Sequence, residues 1–301
     1  MRGWTWAGFR EVLPGRAAPK TLAFAAGLAL ALTAIDAPGA HAQEAPLPET
    51  MKQVVMGLPD ENGHVLRMIE TPLPEIADDE LLVKVLAASI NGHDWRVRAQ
   101  TRDGEITGFE QEFYATLYDV SGVVVEVGEL VTGFAVGDEV MAYNGAGGVG
   151  HFAIQLAKNR GAIVYTTVST EDMPFAKALG ADHVIDYRTQ RFEEIVPPVD
   201  VVMAIVGGEV RDRSVAVVKP GGLLITYTGK PEAGWYEEQG VRGVHCMTPA
   251  DPVKLAELAA MVADGSVIAH VDAVFPMDHF REGFDYIESG ESVGKVVFTM
   301  R

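Results

Sequence analysis

The sequence predicts an α/β protein in two parts: a β-rich first half and a doubly wound parallel sheet in the second. Three observations carry this reading. Short apolar runs bounded by turn residues fill positions 51 to about 140. Beyond Gly145, such runs alternate with helix patterns. At the junction, a glycine-rich turn separates a strand pattern from a helix pattern.

The elements follow in order. Residues 53–56 and 64–70 flank Asn62-Gly63 and read as a hairpin. Residues 81–90 are strongly apolar and read as a strand, as do 121–127 and 138–143. A helical turn starts at Asp94, which reads as its cap rather than as a base. In the second half, helix patterns cover 151–159, 174–179, 209–218 and 252–264. Strands are expected at 163–168, 184–187, 199–206 and 223–228. The chain closes with a helix after Asp278 and a strand at 295–300.

Charge and cysteine content exclude several function classes. Lys and Arg number 24 against 42 Asp and Glu, a net charge of -18. Such a chain repels phosphate backbones and anionic membranes, so nucleic acid is not an expected partner. Cys246 is the only cysteine. It permits neither an intrachain disulfide nor a multi-cysteine zinc site.

The first 42 residues read as an export signal. Arg2, Arg10, Arg16 and Lys20 precede an uncharged apolar run at 21–35, and Ala40-His41-Ala42 supplies small residues for cleavage. As a helix that run spans roughly 22 Å, short of the ~30 Å hydrocarbon core. The expectation is a periplasmic or secreted protein, cleaved near Ala42, without stable membrane insertion.

Gly145-Ala146-Gly147-Gly148-Val149-Gly150 is a G-x-G-x-x-G turn in the context that dinucleotide binding requires. Gly145 permits the turn, Gly147 lets backbone approach a pyrophosphate, and Gly150 lets the helix lie against the sheet. The N–H groups of Gly148 and Val149 open the helix towards an anion. Ser169 stands where an acid would select the ribose of NADH, which favours NADPH, with NADH as the second choice. Tyr187 and Arg188 could supply a phosphate contact, but Glu171 and Asp172 lie next to Ser169. Val206, Gly207, Thr228 and Gly229 end two strands at the carboxyl edge, where open parallel sheets bind ligands.

These segments resemble the medium-chain dehydrogenase/reductase superfamily, in its zinc-free quinone oxidoreductase-like and enoyl reductase-like branch. The resemblance rests on residues 87–94 (AASINGHD), 119–128 (DVSGVVVEVG), 133–140 (GFAVGDEV), 145–158 (GAGGVGHFAIQLAK), 179–187 (LGADHVIDY), 219–222 (KPGG) and 294–297 (GKVV). It implies a GroES-like catalytic domain at 43–140, a Rossmann domain at 141–272 and a return to the first domain at 273–301. It also implies an NADPH-dependent reduction of a quinone or α,β-unsaturated carbonyl, with a small-molecule substrate; homodimerisation stays open. Asn91 replaces the zinc-binding cysteine of zinc members, and Tyr118-Asp119 replaces their His-Glu pair, so no metal is expected. Asn91 would orient a carbonyl, the alternative being a turn-forming Asn before Gly92; Tyr118 would donate a proton, the favoured alternative being an aromatic packed at a strand start. Lys295 matches the family's closing lysine and reads as a surface residue.

One departure stands out. The family usually places 45–50 residues between the Gly-Asp-Glu-Val strand and the glycine turn. Here Val140 and Gly145 are five positions apart. An alternative reading is therefore an exported, non-catalytic dinucleotide-binding or interaction protein that lost its substrate cleft.

Overall fold

A computed structural model describes residues 46–105, 114–117, 119–142, 148–246 and 251–300. It divides into two compact units. One contains the chain up to Gly147 together with Val253–Gly265 and Ala269–Arg301; the other contains Gly148–Pro252 with Ser266–Ile268. The predicted signal segment, Tyr118, Gly145 and Gly147 lie outside the described residues.

The first unit is built on two sheets. Strand β1 (Thr50–Met56) pairs antiparallel with β2 (Leu66–Pro72) and with the short β4 (Tyr114–Ala115). The predicted hairpin turn is fixed by Asp60, whose Oδ1 accepts the N–H groups of Asn62 and His64 at 2.8 and 2.9 Å. A second sheet holds β3 (Leu81–Ser89), β5 (Asp119–Val127), β6 (Glu139–Ala142), β12 (Val271–Pro276) and β13 (Lys295–Thr299) in the order β12-β13-β3-β5-β6. Thus the last strand of the chain returns to the first unit, antiparallel to β3.

Between β3 and β4 runs helix α1 (Gly92–Arg102), which is longer than the turn the sequence suggested. A C-terminal helix, Phe280–Glu288, buries Phe280, Gly283 and Phe284, the i, i+3, i+4 face of an amphipathic helix. Phe284 stacks on Phe298 with ring centroids 6.3 Å apart. Both rings are fully buried, which contributes about 1.5–3 kcal/mol each. Arg98 and Arg102 of α1 bind Asp285 and Glu288 of this helix at 2.6–3.2 Å.

The second unit alternates strands and helices, as expected of a parallel α/β arrangement. Helix α2 (Val149–Asn159) opens it, followed by β7 (Tyr165–Val168), α3 (Met173–Ala178), β8 (His183–Asp186), α4 (Phe192–Ile195), β9 (Val199–Ala204), α5 (Glu209–Ser214), β10 (Val218–Thr226), α6 (Trp235–Glu238) and β11 (Arg242–His245). All strand pairs in this unit are parallel. Helix α7 (Pro252–Ala263) follows, and the Phe280–Glu288 helix becomes α8.

The parallel strands form two sheets instead of one: β7-β8 and β11-β10-β9. In a doubly wound sheet of order 3-2-1-4-5-6, the first strand stands between the second and the fourth. Here the second and fourth are β7 and β9, and each has one edge without a strand partner among the described residues. The segment before the glycine turn would be the first strand. It is β6, and it pairs antiparallel with β5 in the first unit. Among the described residues no further strand stands between β6 and α2, and Val140 and Gly145 are only five positions apart. Apolar side chains of β9 are correspondingly exposed, Val201 by 52% and Met203 by 39%.

Candidate active site

Strand register brings distant polar residues together inside the first unit. Val297 of β13 lies opposite Ser89 of β3, which sets Lys295 opposite Asn91. Ser89 also lies opposite Asp119 of β5. Lys295 Nζ donates to Asp119 Oδ2 at 2.8 Å and to Asn91 Oδ1 at 3.0 Å. Ser89 Oγ donates to the same Asp119 oxygen at 3.1 Å. Asn91, Asp119 and Ser89 are buried, and the Lys295 side chain is only 12% exposed. The surface reading of Lys295 is therefore corrected: cross-strand pairing turns its side chain onto two buried acceptors.

Asn91 caps α1, and Asp94 completes a capping box. Asp94 accepts the Asn91 N–H at 2.8 Å and the Leu117 N–H at 3.3 Å. The expectation that Asp94 is the cap residue is thus corrected: the helix starts two residues earlier, Asn91 is the cap, and Asp94 completes the box from the third helical position. Burial pushes its carboxyl up to about 6, against the pull of those two N–H groups. Leu117 has φ 65°, the one positive value among described non-glycine residues. A left-handed leucine costs on the order of 1–2 kcal/mol. It stands two residues before Asp119, and strain of this kind concentrates at functional sites.

In the second unit, Gly148 caps α2 in the left-handed conformation, φ 67°. No acid occupies the first turn of α2, so its N–H groups can take a pyrophosphate without a competing carboxylate. Gly150 is less tightly placed than expected. A Cβ there would meet nothing closer than Ile205 Cδ1, at 4.0 Å. The strand a helix packs against at this point has no counterpart among the described residues.

Val206, Gly207, Thr228 and Gly229 follow β9 and β10 at the carboxyl edge. Thr228 Oγ1 donates to Ile205 O at 2.9 Å. A Cβ on Gly207 would lie 2.8 Å from Thr228 O, so only glycine allows this approach. Beside them is a cluster the sequence did not suggest. Thr226 Oγ1 lies 2.7 Å from Tyr236 OH and 3.0 Å from His245 Nδ1. The Tyr236 ring lies over Gly243, where a Cβ would meet it at 1.9 Å.

The residues that the sequence suggests for nucleotide selection gather at the ends of β7 and β8. Ser169 is buried, and its hydroxyl donates to Asp172 at 2.7 Å. Thr170 donates to Asp186 at 2.6 Å. Arg188 Nη1 donates to both Glu171 oxygens, at 2.8 and 2.6 Å, while Tyr187 is exposed. A 2′-phosphate would have to compete with Glu171 for Arg188. The helix terminus, the glycine approach and an arginine at the second strand pair together fit a phosphorylated dinucleotide.

A GroES-like β unit followed by a parallel nucleotide-binding unit defines a dehydrogenase/reductase. The chain belongs to the medium-chain dehydrogenase/reductase superfamily, as a zinc-free, quinone oxidoreductase-like member. Residues 77–168 match the alcohol dehydrogenase GroES-like domain, and residues 179–298 match the zinc-binding dehydrogenase family. Among similar proteins is the chloroplastic NADPH-dependent alkenal/one oxidoreductase of Arabidopsis thaliana, 27% identical over 84% of this chain and 81% of that one. The 2-methylene-furan-3-one reductase of Solanum lycopersicum is 28% identical over 75% of this chain and 73% of its own. The quinone oxidoreductase of Coxiella burnetii superposes with TM-score 0.72 and 26% identity, covering 84% of this chain and all of that one.

The Arabidopsis alignment also measures the shortening. It runs over 327 positions, whereas 84% of 301 residues is about 253, so roughly 74 positions have no counterpart here.

Proposed function

We propose that this protein is an NADPH-dependent, zinc-independent reductase that transfers hydride to a quinone or an α,β-unsaturated carbonyl. The observation that carries it is the buried cluster at Asn91 and Asp119. These are the positions that resemble the family's metal ligands, and here they hold a lysine ammonium. The named relatives, an alkenal/one oxidoreductase and a furanone reductase, act on this substrate class.

NADPH, when bound, supplies the hydride. Gly147, Gly148 and the α2 terminus would hold its pyrophosphate, and Arg188 with Tyr187 its 2′-phosphate. Val206, Gly207, Thr228 and Gly229 would line its ribose and nicotinamide. Asn91 is held rigid by its cap and by Lys295, which suits it to orienting a carbonyl. Tyr118 stands beside Asp119 in sequence and remains the proposed proton donor. The test is titration of the purified protein with NADPH, followed by NADPH oxidation with 1,4-benzoquinone and with methyl vinyl ketone.

One observation favours a second reading. Among the described residues the parallel strands form two sheets with no strand between β7 and β9, which points to a non-catalytic dinucleotide-binding protein. Binding without oxidation of NADPH would select it. We also propose export, with cleavage near Ala42, on the strength of the apolar run at 21–35. N-terminal sequencing of the exported form checks this: a chain that still begins at Met1 contradicts it.

A further inference from the structure

We propose that the Lys295 ammonium is the electrophile of the site, the group that binds the substrate's carbonyl oxygen and stabilises the oxyanion formed there. The inference rests on the reductase reading above and assigns the residue that makes it work without a metal.

An ammonium has three N–H groups. Two are spent, on Asn91 Oδ1 at 3.0 Å and Asp119 Oδ2 at 2.8 Å. The third has no protein acceptor among the described residues. Burying a lysine is costly unless its charge is used. Asp119 balances that charge, and Ser89 in turn fixes Asp119. The result is a cation held on two sides, with one donor left over among the described residues.

Placement is set by the fold and not by chance side-chain contact. The antiparallel registers of β13 with β3 and of β3 with β5 fix three strands side by side. A donor on such a scaffold needs no reorganisation when charge develops, which is the condition for electrostatic catalysis. The left-handed Leu117 directs the chain into β5 just before Asp119, and its N–H is held by Asp94. The backbone around the cluster is thus constrained from several sides.

The chemistry balances simply. The cofactor, when bound, would supply hydride to the β-carbon of an enone. The alkene electron pair moves into the position beside the carbonyl, and negative charge gathers on its oxygen. The Lys295 N–H shortens its hydrogen bond to that oxygen and remains protonated. A proton, delivered by a donor such as Tyr118 and ultimately drawn from water, completes the α-carbon. For a quinone, hydride and one net proton complete the hydroquinone, and any hydrogen placed on a ring carbon leaves as a proton when the ring becomes aromatic.

The experiment uses the holoenzyme. p-Nitrophenol is titrated into the wild-type protein saturated with NADP⁺, because its phenolate oxygen imitates the oxyanion. The fraction ionised at fixed pH is read from its visible absorption. The expected result is an ionisation constant at least tenfold higher for bound probe than for free probe. In Lys295→Gln/Asp119→Asn, which removes both charges together, the shift is lost. There kcat for methyl vinyl ketone falls about 100-fold while the NADPH dissociation constant stays put. A wild-type protein that leaves the probe's ionisation unchanged, or does not bind it, overturns the proposal, whether or not the variant folds. So does a folded variant with kcat within threefold of wild type. Failure of wild-type turnover with NADPH bound would instead sink the reductase reading itself.

Discussion

Lys295 and Asp119 lie 176 positions apart and form an ion pair at 2.8 Å, with side chains only 12% and 11% exposed. Such a pair is worth little against an apolar replacement, but removing one partner strands the other charge. Asp119→Ala is therefore expected to destabilise the protein by on the order of 3 kcal/mol. Urea unfolding measures it. A loss indistinguishable from that of a surface substitution would mean that solvent reaches the ammonium.

Asp94 gives a pH signature. Its folded carboxyl titrates at about 6, raised from 3.8 chiefly by burial. The native state therefore keeps a proton that the unfolded chain releases between those values. Stability from this group is full below about pH 4 and is lost as pH rises to 6, on the order of 3 kcal/mol in all. Asp94→Asn should flatten that part of the stability profile relative to wild type. Parallel profiles for the two proteins would show that Asp94 is ionised throughout.

Cofactor preference is expected to turn on Glu171. Its carboxylate occupies Arg188 at 2.6 and 2.8 Å, and both side chains are exposed. Glu171→Gln should release the guanidinium and tighten NADPH binding a few-fold, leaving NADH unchanged. The ratio of the two dissociation constants is the readout. Equal gains for both cofactors would place Arg188 away from the 2′-phosphate.

Gly207 tests the carboxyl edge. An alanine Cβ would sit 2.8 Å from Thr228 O, closer than backbone tolerates. Gly207→Ala is expected to cost about 1–3 kcal/mol and to weaken NADPH binding together with stability. Thermal melts with and without NADPH separate the two effects. Unchanged affinity in a folded variant would remove Gly207 from the cofactor site.

Much of this arrangement could be read from local pattern. The hairpin around Asn62-Gly63, the apolar strand leading to Asn91 and the helix after the glycine turn each carry their own signal. Lys295 does not. A single lysine at a strand start looks like any exposed charge, and only the pairing of β13 with β3 shows otherwise. Arg242-Gly-Val-His is too short and too polar to announce itself as β11. The Thr226, Tyr236 and His245 cluster depends on how α6 folds back over Gly243. The strand at 138–143 was legible as a strand, and its competing claims were visible in the short spacing. Which sheet wins was not: that depended on hydrogen-bond partners in β5, far from the glycine turn.

The central claim is hydride transfer without a metal. The most direct measurement is single-turnover oxidation of bound NADPH by 1,4-benzoquinone after exhaustive chelation. The account predicts that one equivalent of hydroquinone forms per equivalent of NADPH consumed, at the same rate with and without chelator. NADPH that binds but stays reduced, or turnover that returns only when zinc is added, would contradict it.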